Sequence, residues 1–315
     1  MTYLAVGLTL FGAVCFAAAS VLQHHAVTTT QHPDESAGHD TAAAGSGRGR
    51  HLNFRHLLAI IRRPRWLQGA GLAAIGSVVN GIGLLLAPLR VVQPVGVLAV
   101  PLAVLMSAWR SRRAPSAGVI VGAVLTVAGI ALFVLVSEGS ATTTTPSAAR
   151  TVIAGAATAG LVALLGVAGM LRHRNGILRC LALAGAVAAA YGLLSALVRV
   201  AAQAAKEDGI FSPFVLGCAG AALVAFVVGA WLIQHAYHAG APEIVIACLT
   251  VGDPLVAVIL GAVLLGEGSN TPLADWGLLG LTAAVAAAGV FILAHHHPEA
   301  VAARAQREPV EAAGS

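Results

Sequence analysis

Asp253 is the one carboxylate that the sequence places deep within an apolar run, and Pro254 follows it directly. Proline has no N–H, so in a helix the carbonyl of Thr250 loses its usual donor. A carboxylate and a free carbonyl about one turn apart can take a proton, a small cation or an ammonium group. An ionisable residue at membrane depth is a functional-site hypothesis by default. The alternative is a neutral aspartic acid bonded to a neighbouring helix. If the chain holds a metal, Asp253 is the residue to start from.

Three amides lie at similar depth: Asn80, Gln93 and Gln234. Asn80 and Gln234 are expected to face the bundle, where an amide either clamps two helices or touches a substrate. Pro88, Pro94, Pro101, Pro242 and Pro254 are candidate hinges, since each interrupts a helical ladder. The remaining charged groups read as structural. Glu243 suits a helix N-terminus, and Glu267 and Asp275 bound a turn that needs no function. Arg199 is placed to snorkel toward an interface, with attraction of an anion as the alternative. His235 and His238 at one mouth either relay protons or rest at the interface. No nucleophile elbow, phosphate loop or zinc signature is present, so neither an enzyme nor a cofactor is expected.

The elements that must carry these residues are set by composition. The 315 residues are 58% hydrophobic and 10% charged, with mean hydropathy +0.85. Apolar runs of about 20 residues, long enough to cross a bilayer, occur at 3–22, 66–86, 90–109, 117–137, 151–171, 177–199, 213–234, 242–266 and 275–295. The fold class expected is an all-α polytopic membrane protein with nine transmembrane helices. The first run lacks the basic residues that open a signal peptide and is read as a span. The four cysteines lie far apart in apolar runs and read as packing residues.

Charge distribution orients the chain. Of 18 basic residues, 14 fall in alternate connections on one side (23–65, the segments after spans three and five, and the tail). Arg90, Arg150, Arg199 and Lys206 fall on the other side. The positive-inside bias puts the N-terminus outside and the C-terminus in the cytoplasm of a cell membrane. The basic loops then serve topology and anionic lipid, without nucleic acid. Residues 31–40, with His32, Asp34, Glu35, His39 and Asp40, lie in a low-complexity loop that reads as solvated, with metal binding as the alternative.

An internal repeat is visible in the spacing. Ala87-Pro88 and Ala241-Pro242 differ by 154 positions, an offset that sets Asn80 against Gln234. Gly129 and Gly289 match at an offset of 160 within similar apolar strings. Spans 1–4 thus correspond to spans 6–9, and an odd linker span inverts one half relative to the other. The organisation expected is a first repeat at 1–137 (with the loop 23–65), a linker with span five at 138–175, a second repeat at 176–295 and a tail at 296–315. Broken segments in corresponding places of two inverted halves are the pattern of a secondary carrier. Gly12 and Gly192, and the small-residue run around Tyr191, are expected at close helix contacts.

The string W-x2-G-x10-N-x6-A-P-x5-P-x-G over Trp66, Gly69, Asn80, Ala87, Pro88, Pro94 and Gly96 resembles the NIPA-type magnesium transporters of the drug/metabolite transporter superfamily. The segment 253–267, D-P-L-V-A-V-I-L-G-A-V-L-L-G-E, is similar to EamA-type members, which carry organic solutes. The resemblance implies alternating access in an inverted-repeat bundle. Its substrate is either magnesium or another divalent cation, or a small organic metabolite or drug. Ser77 stands where the NIPA-type pattern has an acidic residue, and a hard cation needs several oxygen ligands. Partners implied are the small-molecule or cation substrate and membrane lipid, and a homodimer is allowed. A non-transporting membrane scaffold or sensor is the reading from another class.

Overall fold

The structure, a computed structural model, describes residues 2–28, 64–110, 114–138, 144, 146–171, 176–240, 242–267, 269 and 271–296. Among these residues there are ten α-helices and no strand. They are α1 (Thr2–Thr28), α2 (Pro64–Leu86), α3 (Leu89–Val97), α4 (Ala99–Arg110), α5 (Ala117–Glu138), α6 (Ala148–Leu171), α7 (Gly176–Asp208), α8 (Pro213–Ala239), α9 (Pro242–Leu265) and α10 (Leu273–His296). Together they make nine apolar segments long enough to cross a membrane, because α3 and α4 share the third. The histidine and acidic loop at 31–40 and the tail beyond His296 lie outside the described residues.

The exterior agrees with a bilayer as solvent. Val152 and Leu223 are 67% and 63% exposed, and large apolar side chains face outward on nearly every helix. In water such a surface would aggregate; in hydrocarbon it is the required one. The chain is a multi-pass membrane protein.

The third span is the exception to continuous helix. Ala87 and Pro88 break the chain after α2, with Pro88 extended at φ −57°, ψ 151°. Pro94 lies inside α3, and the helix stops at Leu98 before Pro101 re-enters in the first turn of α4. Two prolines seven residues apart remove two ladder donors, so a single straight span gives way to two pieces. Pro242 opens α9, a position where a missing N–H costs nothing, and Pro254 is accommodated within α9.

Packing falls into two sets. In the first, α1 runs along α2 and also touches α3 and α4. In the second, α7 runs along α8 and α9, with α6 on its other flank. The sets meet where α5 crosses α10, where α3 meets α9, and where α2 approaches α7. Small residues allow each close approach. A Cβ on Gly129 would stand 2.6 Å from the Ala286 nitrogen, and one on Gly289 2.5 Å from the Thr126 nitrogen. Both glycines of the proposed repeat therefore lie in the α5–α10 crossing. Gly12 and Gly192 also mark close contacts, but with different partners: Gly12 meets α2 at Gly76, whereas Gly192 meets α9 at Val256. The Tyr191 ring packs onto Gly229 of α8.

α7 is the most enclosed helix, with Ala184, Ala186, Val187, Ala188, Ala189 and Ala190 all buried. α8 buries Val215, Cys218, Ala222, Ala225, Gly229, Leu232 and Ala236, a single stripe at three-and-four spacing laid on α7. Its start is fixed by the Ser212 hydroxyl, which accepts from the Val215 N–H, with Pro213 in the first position. α6 and α8 flank α7 without closing over it, leaving an apolar slot of about 900 Å³ floored by Ala190, Leu193 and Leu197.

Candidate functional site

Three charged side chains come together where α2, α5 and α9 end and α3 begins. Arg90 lies in the first turn of α3, Arg199 nine residues before the end of α7, and Glu267 two residues beyond α9. Their exposures are 1%, 3% and 1%. The Arg199 Nε stands 3.6 Å from Glu267 Oε1. The same guanidinium donates to the carbonyls of Leu84 at 2.8 Å and Leu85 at 3.0 Å. Arg90 donates to the Thr271 hydroxyl at 3.1 Å and to the Ser137 carbonyl at 2.8 Å.

Helix ends explain how these charges tolerate burial. Leu84, Leu85 and Ser137 belong to the last turns of α2 and α5, whose final carbonyls lack helical donors and carry partial negative charge. Arg199 and Arg90 supply the donors. Glu267 faces the opposite kind of end, where the N–H groups of Leu89 and Arg90 at the start of α3 favour its charge. Two guanidinium groups thus meet one carboxylate and two helix C-termini. Burial holds the Glu267 carboxyl above its ordinary range, against the opposing pull of Arg199 and of the α3 N-terminus.

The backbone around Glu267 is shaped for this placement. Gly266 turns with φ +61°, a left-handed conformation that glycine adopts without steric cost. The Glu267 N–H then returns to the Gly261 carbonyl at 3.3 Å. A Cβ on Gly261 would approach Glu267 Oε2 to 2.8 Å. Thr144, from the α5–α6 connection, donates both its N–H and its hydroxyl to the Leu265 carbonyl, each at 2.8 Å.

These positions correct the sequence reading. Arg199 does not snorkel, because α2 covers it and offers carbonyls at bonding distance. Glu267 is not an idle turn residue, since the fold-back at Gly266 carries it inside. Gln234 does not face the bundle: it falls off the α8 stripe and is exposed. Asn80 is half-buried beside Gly12 in the α1–α2 contact, and the two amides are not brought together. The usable signal was the positive-inside bias itself. Four basic residues fall outside the connections that carry the other fourteen, and two of them are the buried pair.

Beneath the charged layer lies an apolar one drawn from both helix sets. Leu84, Ala87, Leu89 and Val92 pack with Leu193, Ala196, Leu197, Val200, Ala257, Leu260 and Leu264. The buried cluster of α6, α7, α8 and α9 draws on the second set and the linker helix alone. A small cluster of Val104, Val119, Ala123 and Leu293 joins the sets near the other end.

Asp253 lies in mid-α9, two turns further in than Leu260. Its Oδ1 is buried and has no hydrogen-bond partner among the described residues. Such groups are uncommon in proteins and point to strain, chemistry or a ligand. Tyr191 of α7 is within electrostatic range of it. The Thr250 hydroxyl bonds the Ile246 carbonyl at 2.7 Å. Thr250 and Pro254, but not Asp253, line a cavity of about 120 Å³ with Pro94 and Val97 of α3, Ile130 and Phe133 of α5, and Ala286 of α10. Two of the candidate hinge prolines, one from each set, therefore border one space. Gln93 precedes Pro94 and is half-buried. Ser77 is exposed and donates to the Ala73 carbonyl. Among the described residues, no three His, Cys, Asp or Glu side chains come together as a metal site. No family model, curated protein or solved structure matches the chain.

Proposed function

We propose that the chain is a secondary transporter of the drug/metabolite transporter type, working by alternating access between inverted repeats at 1–137 and 176–295. The observation that carries this reading is Asp253, a mid-span carboxylate with an unpartnered oxygen, next in sequence to Pro254, which borders a cavity between the two helix sets. The order of packing supports the repeat. α1 holds α2 and the third span as α7 holds α8 and α9, while α5 and α10 cross between the sets. Asp253 takes the coupling proton or the cationic group of the substrate, and Pro94 and Pro254 let the cavity walls bend.

The substrate is a small organic solute. The cavity of about 120 Å³ is below the roughly 300–1,000 Å³ of drug-sized sites. Magnesium is disfavoured by the single carboxylate and by Ser77, which spends its hydroxyl on its own helix. The protein acts in the cell membrane with its N-terminus outside. Purified protein in liposomes, assayed for magnesium flux against a panel of cationic and amino-acid-like solutes, tests this. Saturable flux of an organic solute is expected. Magnesium flux alone overturns the substrate assignment, and no flux of any solute favours a scaffold or sensor.

A further inference from the structure

We infer that Arg90, Arg199 and Glu267 form a latch that closes the protein at one end and must part for it to open there. The inference rests on the alternating-access reading but concerns a different part of the molecule from the Asp253 site. Its basis is which helix set each contact joins. Arg199 and Glu267 belong to the second set. Arg199 bonds the carbonyls that end α2, and Glu267 faces the start of α3, both in the first set. Arg90 belongs to the first set and bonds Thr271 at the start of the second set's last helix. Three side chains thus tie the sets together in both directions. The apolar layer below them, from Leu84 to Leu264, completes the seal.

The chemistry suits a joint that opens. The Arg199–Glu267 separation of 3.6 Å is longer than a hydrogen bond of good geometry. Buried charges gain little net stability over apolar replacements, yet removing one partner is costly. When the sets part at this end, water reaches all three groups and the two helix C-termini, replacing each lost contact. An apolar seam of the same area would have to expose its surface without that compensation. The charges therefore hold the closed state without making the open one prohibitive.

Leu260 provides the readout. It is 6% exposed, lies in the apolar layer, and directly precedes Gly261, on which an added Cβ would stand 2.8 Å from Glu267 Oε2. A Leu260→Cys protein in a background with Cys15, Cys180, Cys218 and Cys248 replaced is reconstituted and treated with a membrane-impermeant maleimide. With the latch intact, labelling is slow. Glu267→Gln and Arg199→Gln are each expected to raise the labelling rate at least tenfold, and Arg199→Lys, which keeps the charge, to leave it low. Every variant is first shown to be monodisperse, and Phe211→Cys in the α7–α8 turn, 80% exposed, serves as a control whose labelling stays constant.

Unchanged Leu260→Cys labelling in both charge-removing variants overturns the latch. So does equal labelling of Arg199→Lys and Arg199→Gln, because the charge would then be irrelevant. Labelling needs no substrate, so it separates the two ideas. A latch that opens in a protein without flux sinks the transporter reading alone, whereas flux with indifferent labelling sinks the latch alone.

Discussion

Arg199 reaches from the second helix set to the last carbonyls of the first, bonding Leu84 at 2.8 Å while its Nε faces Glu267 at 3.6 Å. One guanidinium therefore serves a helix end and a carboxylate at once. Arg199→Leu withdraws the largest pull that opposes the effect of burial on the Glu267 carboxyl. The Glu267 carboxyl then rises further above its ordinary range. A carboxyl raised in the folded state contributes stability that is full at low pH and lost as pH rises through the raised value. The Arg199→Leu protein in detergent should lose melting temperature, relative to the parent, as pH rises above the ordinary carboxylate range. A parallel pH profile in both proteins would contradict this.

Asp253→Asn keeps the shape of the side chain and removes its capacity to ionise. Coupled transport should fall to background at unchanged expression, because an amide neither releases a proton nor neutralises a cation. Tracer uptake into liposomes measures it, and parental flux in the variant would exclude Asp253 as the coupling group.

Gly129 should tolerate no larger side chain. Its Cβ would meet the Ala286 backbone nitrogen at 2.6 Å, so α5 and α10 would have to move apart. Overpacking of this kind costs about 1–3 kcal/mol. Gly129→Leu should lower the yield of monodisperse protein several-fold. Gly160→Leu, on α6 with nothing within 4 Å of the added carbon, should not. Size-exclusion chromatography of the two variants side by side checks the contrast.

Orientation is tested with single cysteines at Ser46 and Ala141, both outside the described residues. The positive-inside bias puts the first in the cytoplasm and the second outside. An impermeant thiol reagent added to intact cells should label only the cysteine at 141, and the reverse pattern would invert the topology.

The spans were readable because a bilayer imposes length and apolarity on each segment separately, and the break at Ala87-Pro88 was readable because proline acts on its own backbone. Asp253 was readable for a similar reason: one charge in a long apolar run needs no partner to be noticed. The charged layer was not readable. Arg199 and Leu84 are 115 residues apart, and Arg90 and Thr271 are 181 apart. Several of the groups they bind are backbone carbonyls, which every residue has and no side-chain pattern marks. Only the folded arrangement shows which helix ends come to lie beside which arginine. Gln234 failed for the converse reason. The repeat aligned it with Asn80, but the facing of a helix is set by its whole buried stripe, and Val215 to Ala236 turns Gln234 outward.

The division of the third span at Leu98 leaves α3 as a separate rod of nine residues, about 13 Å long. Arg90 occupies its first turn, among the charged groups, and Pro94 and Val97 form part of the cavity wall further along. A displacement of α3 as a whole therefore moves the charged layer and the cavity wall together, as a push rod would, whereas a bend at Pro94 moves the wall alone.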